Sequence, residues 1–144
     1  MKKIIFIFML VTTFAGFSQQ WQSSYVDAVA NAKALQKPML LVFSGSDWCA
    51  PCIKMDKRIW RSEAFRSYAR NNYVLYKADF PKKNANRLPL AVAEQNRELA
   101  AKYNPKGHFP HVVLLGGNEK ILGQTGYRRG TPKAYLNHLK SFIK

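Results

Sequence analysis

The chain has 144 residues and a mass of 16.5 kDa, enough for one domain with a single real core. Its 47% apolar and 13% aromatic content excludes a disordered chain, and no internal repeat or low-complexity run is visible. The formal net charge of +15 would attract anionic partners, but no nucleic-acid-binding signature accompanies it, so it reads as a solvated basic face, with acidic protein partners as a second reading.

In chain order, Lys2 and Lys3 precede an apolar stretch from Ile4 to about Phe17, and Gly16 and Ser18 are small residues just before Gln19. Charged, apolar and small-residue regions in that order predict a secretory signal peptide over residues 1–18, followed by one domain over residues 19–144. An uncleaved anchor is the alternative, but the apolar run is shorter than the roughly 20 residues a spanning helix needs. No cysteine lies near the cut to carry a lipid, and no second segment could span a membrane. The chain is therefore expected to be exported, periplasmic or secreted, without stable membrane insertion after cleavage. Removing residues 1–18 takes away two lysines and no acid, which lowers the charge from +15 to +13.

Apolar residues at Tyr25, Ala28, Val29, Ala32 and Leu35 predict a helix that Pro38 stops. Met39 to Phe43 is an apolar run suited to a strand buried on both faces. Loop chemistry at Ser44 to Asp47 leads into a helix from about Cys49 toward Trp60, and Ser62 can cap a short helix through Tyr68. A second strand is expected over Tyr73–Asp79, a basic loop over Pro81–Arg87 and a helix over Leu88–Tyr103. His111–Leu115 and Lys120–Leu122 read as strands joined by a turn at Gly116, Gly117 and Asn118. Thr131 and Pro132 open a last helix with Tyr135, Leu139, Phe142 and Ile143 on one face. The order β-α-β, helix, β-β-α implies an α/β domain with one mixed sheet flanked by helices.

The two cysteines stand in Trp48-Cys49-Ala50-Pro51-Cys52. A disulfide here would close a tiny loop and make a poor staple, because loop-closure stabilisation grows with loop length. A structural zinc site needs about four ligands, and no second CxxC exists. Two buried free thiols would sit oddly at a strand–loop–helix junction. Redox chemistry fits better. A helix beginning at Cys49 places that sulfur at the positive end of the helix dipole, which favours its thiolate. Cys52 lies one turn further in on the same face, and Pro51 occupies a first-turn position where a missing N–H costs nothing. Cys49 is expected to be the more exposed, attacking thiol and Cys52 the resolving one, through a mixed disulfide. No cofactor is called for.

WCAPC after a buried strand resembles the thioredoxin superfamily over most of Pro38–Lys144, which implies the thioredoxin fold. Phe109-Pro110-His111 matches that superfamily's cis-proline loop, and Gly126 its glycine near the active-site surface. The resemblance implies a cis bond before Pro110, with the backbone of Phe109 offered to an extended substrate and Trp48 shaping the rim. SDWCAPCIKMDKRIW, with the stretch that follows it, is especially similar to exported thioredoxin-like proteins and to the C-terminal domain of the membrane reductase DsbD. WCAPC also occurs in periplasmic TlpA-like thioredoxins. Ala50 and Pro51 resemble the reducing tetrads, so reduction or isomerisation of protein disulfides is expected, with a DsbD-type membrane reductase as electron donor.

One departure stands out. Thioredoxins usually carry a buried Asp on the strand before the CxxC as proton relay to the resolving cysteine, and that position here is Phe43. Lys77 matches a strand lysine that often neighbours that acid, and water, Asp47 or a nearby His is left to deprotonate Cys52. His108 and His111 flank Pro110, where an imidazolium would lower the Cys49 pKa. A rival reading is a metal carrier holding copper or zinc with Cys49, Cys52, His108 and His111. His138 is expected at the surface.

Overall fold

The computed structural model describes residues 21–143. The predicted signal segment lies outside the described residues, apart from which the chain order is that expected from the pattern of apolar residues.

The first helix, α1 (Tyr25–Leu35), starts where the Ser24 hydroxyl accepts the Asp27 amide, with Asp27 near the positive helix end. It buries Tyr25, Ala28 and Ala32. Leu35 falls outside this stripe and is 56% exposed, contrary to its expected inward place. Gln36 turns into the left-handed region (φ 52°) and ends the helix before Pro38 is reached.

Strand β1 (Met39–Ser44) is buried at every position, as its unbroken apolar run requires. Residues Ala50–Met55 form α2, which continues as a π-helical turn over Asp56–Trp60, and α3 (Glu63–Asn72) follows the Ser62 cap. α3 runs past Tyr68 because Phe65 and Ala69 bury one side of it. Strand β2 (Val74–Asp79) leads through a loop with a short 3-10 turn at Asn84–Asn86 into α4 (Leu90–Tyr103). Strands β3 (His111–Leu115) and β4 (Ile121–Gly126) and helix α5 (Pro132–Lys140) complete the described residues. β4 is longer than its apolar start predicted, because Thr125 and Gly126 go on pairing with Val112 and His111. On α5 the inward residues are Tyr135, Leu136 and Leu139, while Ile143 beyond it is 43% exposed rather than inward.

The sheet order is β2-β1-β3-β4, with β1 parallel to β2 and the other neighbours antiparallel. Side chains alternate across it, so β1 feeds two cores. Leu40 and Val42 join Met55, Ile59, Trp60, Phe65, Tyr135 and Leu139 beneath α2, α3 and α5. Met39, Leu41 and Phe43 join Ala28, Tyr76, Leu99 and Tyr103 beneath α1 and α4. Trp21 bridges to Leu75 at the outer edge of β2 and sets its ring edge-on to Trp60 at 6.1 Å. The strand-to-helix junction after β1 thus sits on a scaffold held from both faces.

Candidate active site

Ser44 closes β1 and the chain turns at Gly45, whose carbonyl accepts the Trp48 and Cys49 amides at 3.3 and 2.9 Å. A side chain at Gly45 would overlap the Trp48 indole, so glycine is required for the ring to lie across the turn. Cys49 is the N-cap of α2, and its sulfur accepts the Cys52 amide at 3.3 Å. Pro51 sits in the first turn, and Ala50 beside it is exposed. Cys49 and Cys52 form a disulfide with their Cα atoms 5.2 Å apart. Both are buried in this state, at 5% and 3% exposure, so Cys49 does not stand out by accessibility as expected. What separates the two is their surroundings.

In front of the CxxC lies an aromatic rim. Trp48, 39% exposed, meets the Phe109 ring edge-on at 5.5 Å, and Phe109 meets Phe80 at 5.4 Å. The Trp48 indole N–H donates to the Phe80 carbonyl at 2.7 Å, and the Lys82 ammonium lies 4.1 Å from the centre of the indole. The Phe109–Pro110 bond is cis. Gly126 packs beside it, where a Cβ would come within 3.2 Å of the Pro110 carbonyl oxygen, and its own carbonyl accepts the Tyr135 hydroxyl. The sequence places Gly45 in a loop but does not show that Trp48 requires it there, and it gives no signal for Phe80. Phe80 reaches Trp48 only because β2 pairs in parallel with β1, which sets Ser44 opposite Asp79.

Behind the CxxC is a cavity of about 220 Å³ lined by Cys52, Ser44, Ser46, Asp56, Arg61 and Lys77, among others. Asp56 accepts from Lys77 at 3.0 Å and from Arg61 at 2.7 Å. Burial opposes its ionisation, but the hydrogen bonds and charges of Lys77 and Arg61 outweigh burial and hold its carboxyl below the usual carboxylate range. Asp56 stands four residues after Cys52 and is not among the residues that the CxxC motif singles out.

Asp47 has a different task from the one considered for it. It accepts the backbone amides of Lys82 and Lys83 and the Asn86 side chain, each at 2.9 Å. Those bonds, led by the Lys82 amide, lower its pKa and tie the basic loop to the junction. Phe43 is fully buried on the α1 and α4 face, its ring 6.0 Å from that of His111. His111 bonds Gln124 at 3.0 Å, and burial outweighs that bond in pulling its imidazole below the usual value. His108 and His111 line a cleft with Tyr103, Lys106 and Gln124 that includes neither cysteine. His138, expected at the surface, is half-buried against Thr125 and Phe142.

A family model described as thioredoxin-like matches residues 20–117. The chain belongs to the thioredoxin-like family. The disulfide bond reductase DsbH of Chlamydia pneumoniae is 37% identical over 130 residues, spanning 90% of this chain and 76% of that protein. A solved DsbH oxidoreductase structure is 36% identical with a TM-score of 0.81, covering 88% of this chain and 85% of its own. A thioredoxin from Thermus thermophilus, at 17% identity and a TM-score of 0.65, shares the fold over 86% of this chain and 87% of its own. With that kinship and its own Cys49–Cys52 disulfide, this thioredoxin-like chain is a thiol–disulfide oxidoreductase. The metal-carrier reading is overturned: among the described residues no three His, Cys, Asp or Glu side chains gather as a ligand set, and the histidines face a separate cleft. Among the same residues no helix is long and apolar enough to cross a membrane.

Proposed function

We propose that this protein reduces or isomerises protein disulfides outside the cytoplasm, with Cys49 as attacking thiol and Cys52 as resolving thiol. The observation that carries the reading is the N-cap position of Cys49, whose sulfur already accepts an amide of the first helical turn. A thiolate there meets the positive helix end and an aligned donor, and both favour the nucleophilic form.

In the forward direction the Cys49 thiolate attacks one sulfur of the substrate disulfide and expels the other as a thiolate. The mixed disulfide then loses its substrate sulfur to attack by Cys52, and the protein keeps the Cys49–Cys52 disulfide. Two electrons pass from the dithiol to the substrate. Trp48 and Phe109 form the apolar rim against which the substrate chain lies, with Pro110 setting the direction of Phe109 and its backbone pairing with an extended segment. Regeneration needs a dithiol donor, for which a membrane reductase of the DsbD type is the proposed partner.

Two measurements test this reading. Reduced protein should accelerate insulin disulfide reduction, and its potential should lie well below the roughly −120 mV of strong oxidants such as DsbA. A potential near that of DsbA, or no acceleration, would overturn the reducing assignment. For export, the protein recovered from outside the cytoplasm should begin at Gln19; a chain retained with residues 1–18 attached would overturn the signal-peptide assignment.

A further inference from the structure

The mixed disulfide resolves only after the Cys52 thiol loses its proton, and β1 offers no acid for this because Phe43 occupies the position. The cavity behind Cys52 holds one. Asp56 follows Cys52 by four residues, and its amide bonds the Cys52 carbonyl, so the two side chains lie on one helical face. Their Cβ atoms are then about 5–6 Å apart, a gap that one water bridges. The cavity volume of about 220 Å³ is ample for this, since a water takes up roughly 30 Å³.

The carboxylate is aimed by its neighbours. At Asp56 the helix widens into a π turn, and the Arg61 amide bonds the Asp56 carbonyl five residues back. That geometry sets Asp56 and Arg61 side by side, and π turns of this kind are frequent at functional sites. From β2, Lys77 donates to the other carboxylate oxygen and lies 4.8 Å from the centre of a Trp21 ring, which fixes it from outside. Lys57 and the hydroxyl-bearing Ser44 and Ser46 complete the polar lining. The charged groups that pair with Asp56 are Lys77 and Arg61, and Lys57 lines the same cavity.

We propose that Asp56, positioned by Lys77, accepts the proton of the Cys52 thiol through water in this cavity, in place of the acid that β1 lacks. The inference rests on the assignment of Cys52 as resolving thiol. In the mixed disulfide the Cys52 proton passes by water to the Asp56 carboxylate. The Cys52 thiolate attacks Cys49 Sγ, the Cys49–Cys52 bond forms, and the bond from Cys49 to the substrate sulfur breaks. The departing substrate thiolate takes up a proton, and Asp56 returns its own to water. Lys77 and Arg61 stabilise the thiolate while Asp56 is protonated.

A purely electrostatic role for Asp56 would act in the opposite sense. Its negative charge disfavours a neighbouring thiolate, so Asp56→Asn would then speed resolution; a proton acceptor's loss slows it. The full chain, reduced and mixed with Ellman's reagent in a stopped-flow instrument, separates the steps. The first equivalent of coloured thiolate reports attack by Cys49, and the second reports resolution by Cys52. For Asp56→Asn the second phase should slow roughly a hundredfold at pH 7, and the defect should fade as pH rises through the Cys52 thiol pKa. Asp56→Glu, which keeps the carboxylate, should restore most of the rate. A second phase that is unchanged or faster in Asp56→Asn, or equally slow in Asp56→Glu, overturns the role of Asp56. Wild-type protein that releases only one equivalent overturns the assignment of Cys52 itself, and the inference with it.

Discussion

The disulfide divides two unlike environments. In front, the exposed Trp48 and the half-buried Phe80 and Phe109 form an aromatic rim, with the Trp48 indole N–H bonded to the Phe80 carbonyl. Behind, Asp56, Lys77 and Arg61 line a polar cavity next to Cys52 and rest on the core under α2 and α3. In the proposed mechanism the front meets a partner chain and the rear moves a proton. Cys52 lines the rear cavity and Cys49 does not, which separates two sulfurs of nearly equal burial.

The two tryptophans give the largest test of that contrast. Trp60 is 3% exposed and packs edge-on against Phe65 at 4.7 Å and Tyr135 at 5.6 Å. Trp60→Ala should cost about 3–5 kcal/mol in a denaturant titration. Trp48→Ala should cost only about 1–2 kcal/mol of stability, since Trp48 is 39% exposed, and should instead raise KM for a peptide disulfide roughly threefold to tenfold. Equal stability losses from the two would remove the distinction between a binding and a structural tryptophan.

Gly45→Ala isolates the front further. It forces the Trp48 ring off the turn without removing it, so the KM of a peptide disulfide should rise as in Trp48→Ala. A wild-type KM would mean that the ring's position is immaterial.

The rear has a pH signature. Asp56 has a folded pKa below the usual carboxylate value, so its contribution to stability is present above that value and is lost as pH falls through the folded pKa. In Lys77→Met that lowering shrinks, so the variant should be less stable at pH 7 by about 1.5–3 kcal/mol and converge on the wild type under acid conditions. A constant gap at all pH values would contradict the pairing. Asp47, also lowered, contributes with the same sign from the exposed loop it ties down.

Much of the front was legible because its signals are local. Cys49, Pro51 and Cys52 declare a helix start within four residues, and Phe109-Pro110 declares the facing loop. Phe80 was not legible, since its contact with Trp48 depends on strand register between segments 32 residues apart. Asp56 had a readable clue in its i+4 spacing from Cys52, but its importance emerges only when β2 delivers Lys77 opposite it. The placement of His108 and His111 away from the cysteines has a similar cause. Strand alternation at β3 turns His111 toward Phe43 and Gln124, a matter of face that sequence proximity to Pro110 does not decide. Leu35 shows the limit of periodicity, as the left-handed turn at Gln36 ends the buried stripe one turn early.

Trapping through the cysteines tests the central claim most directly. Cys52→Ala and Cys49→Ala variants, each expressed with residues 1–18 in place, are quenched in acid, alkylated at neutral pH and compared on non-reducing gels. Cys52→Ala should accumulate mixed disulfides through Cys49, releasable by reductant, while Cys49→Ala accumulates none. Equal trapping by both variants, or trapping by Cys49→Ala alone, would contradict the division of labour between the two thiols.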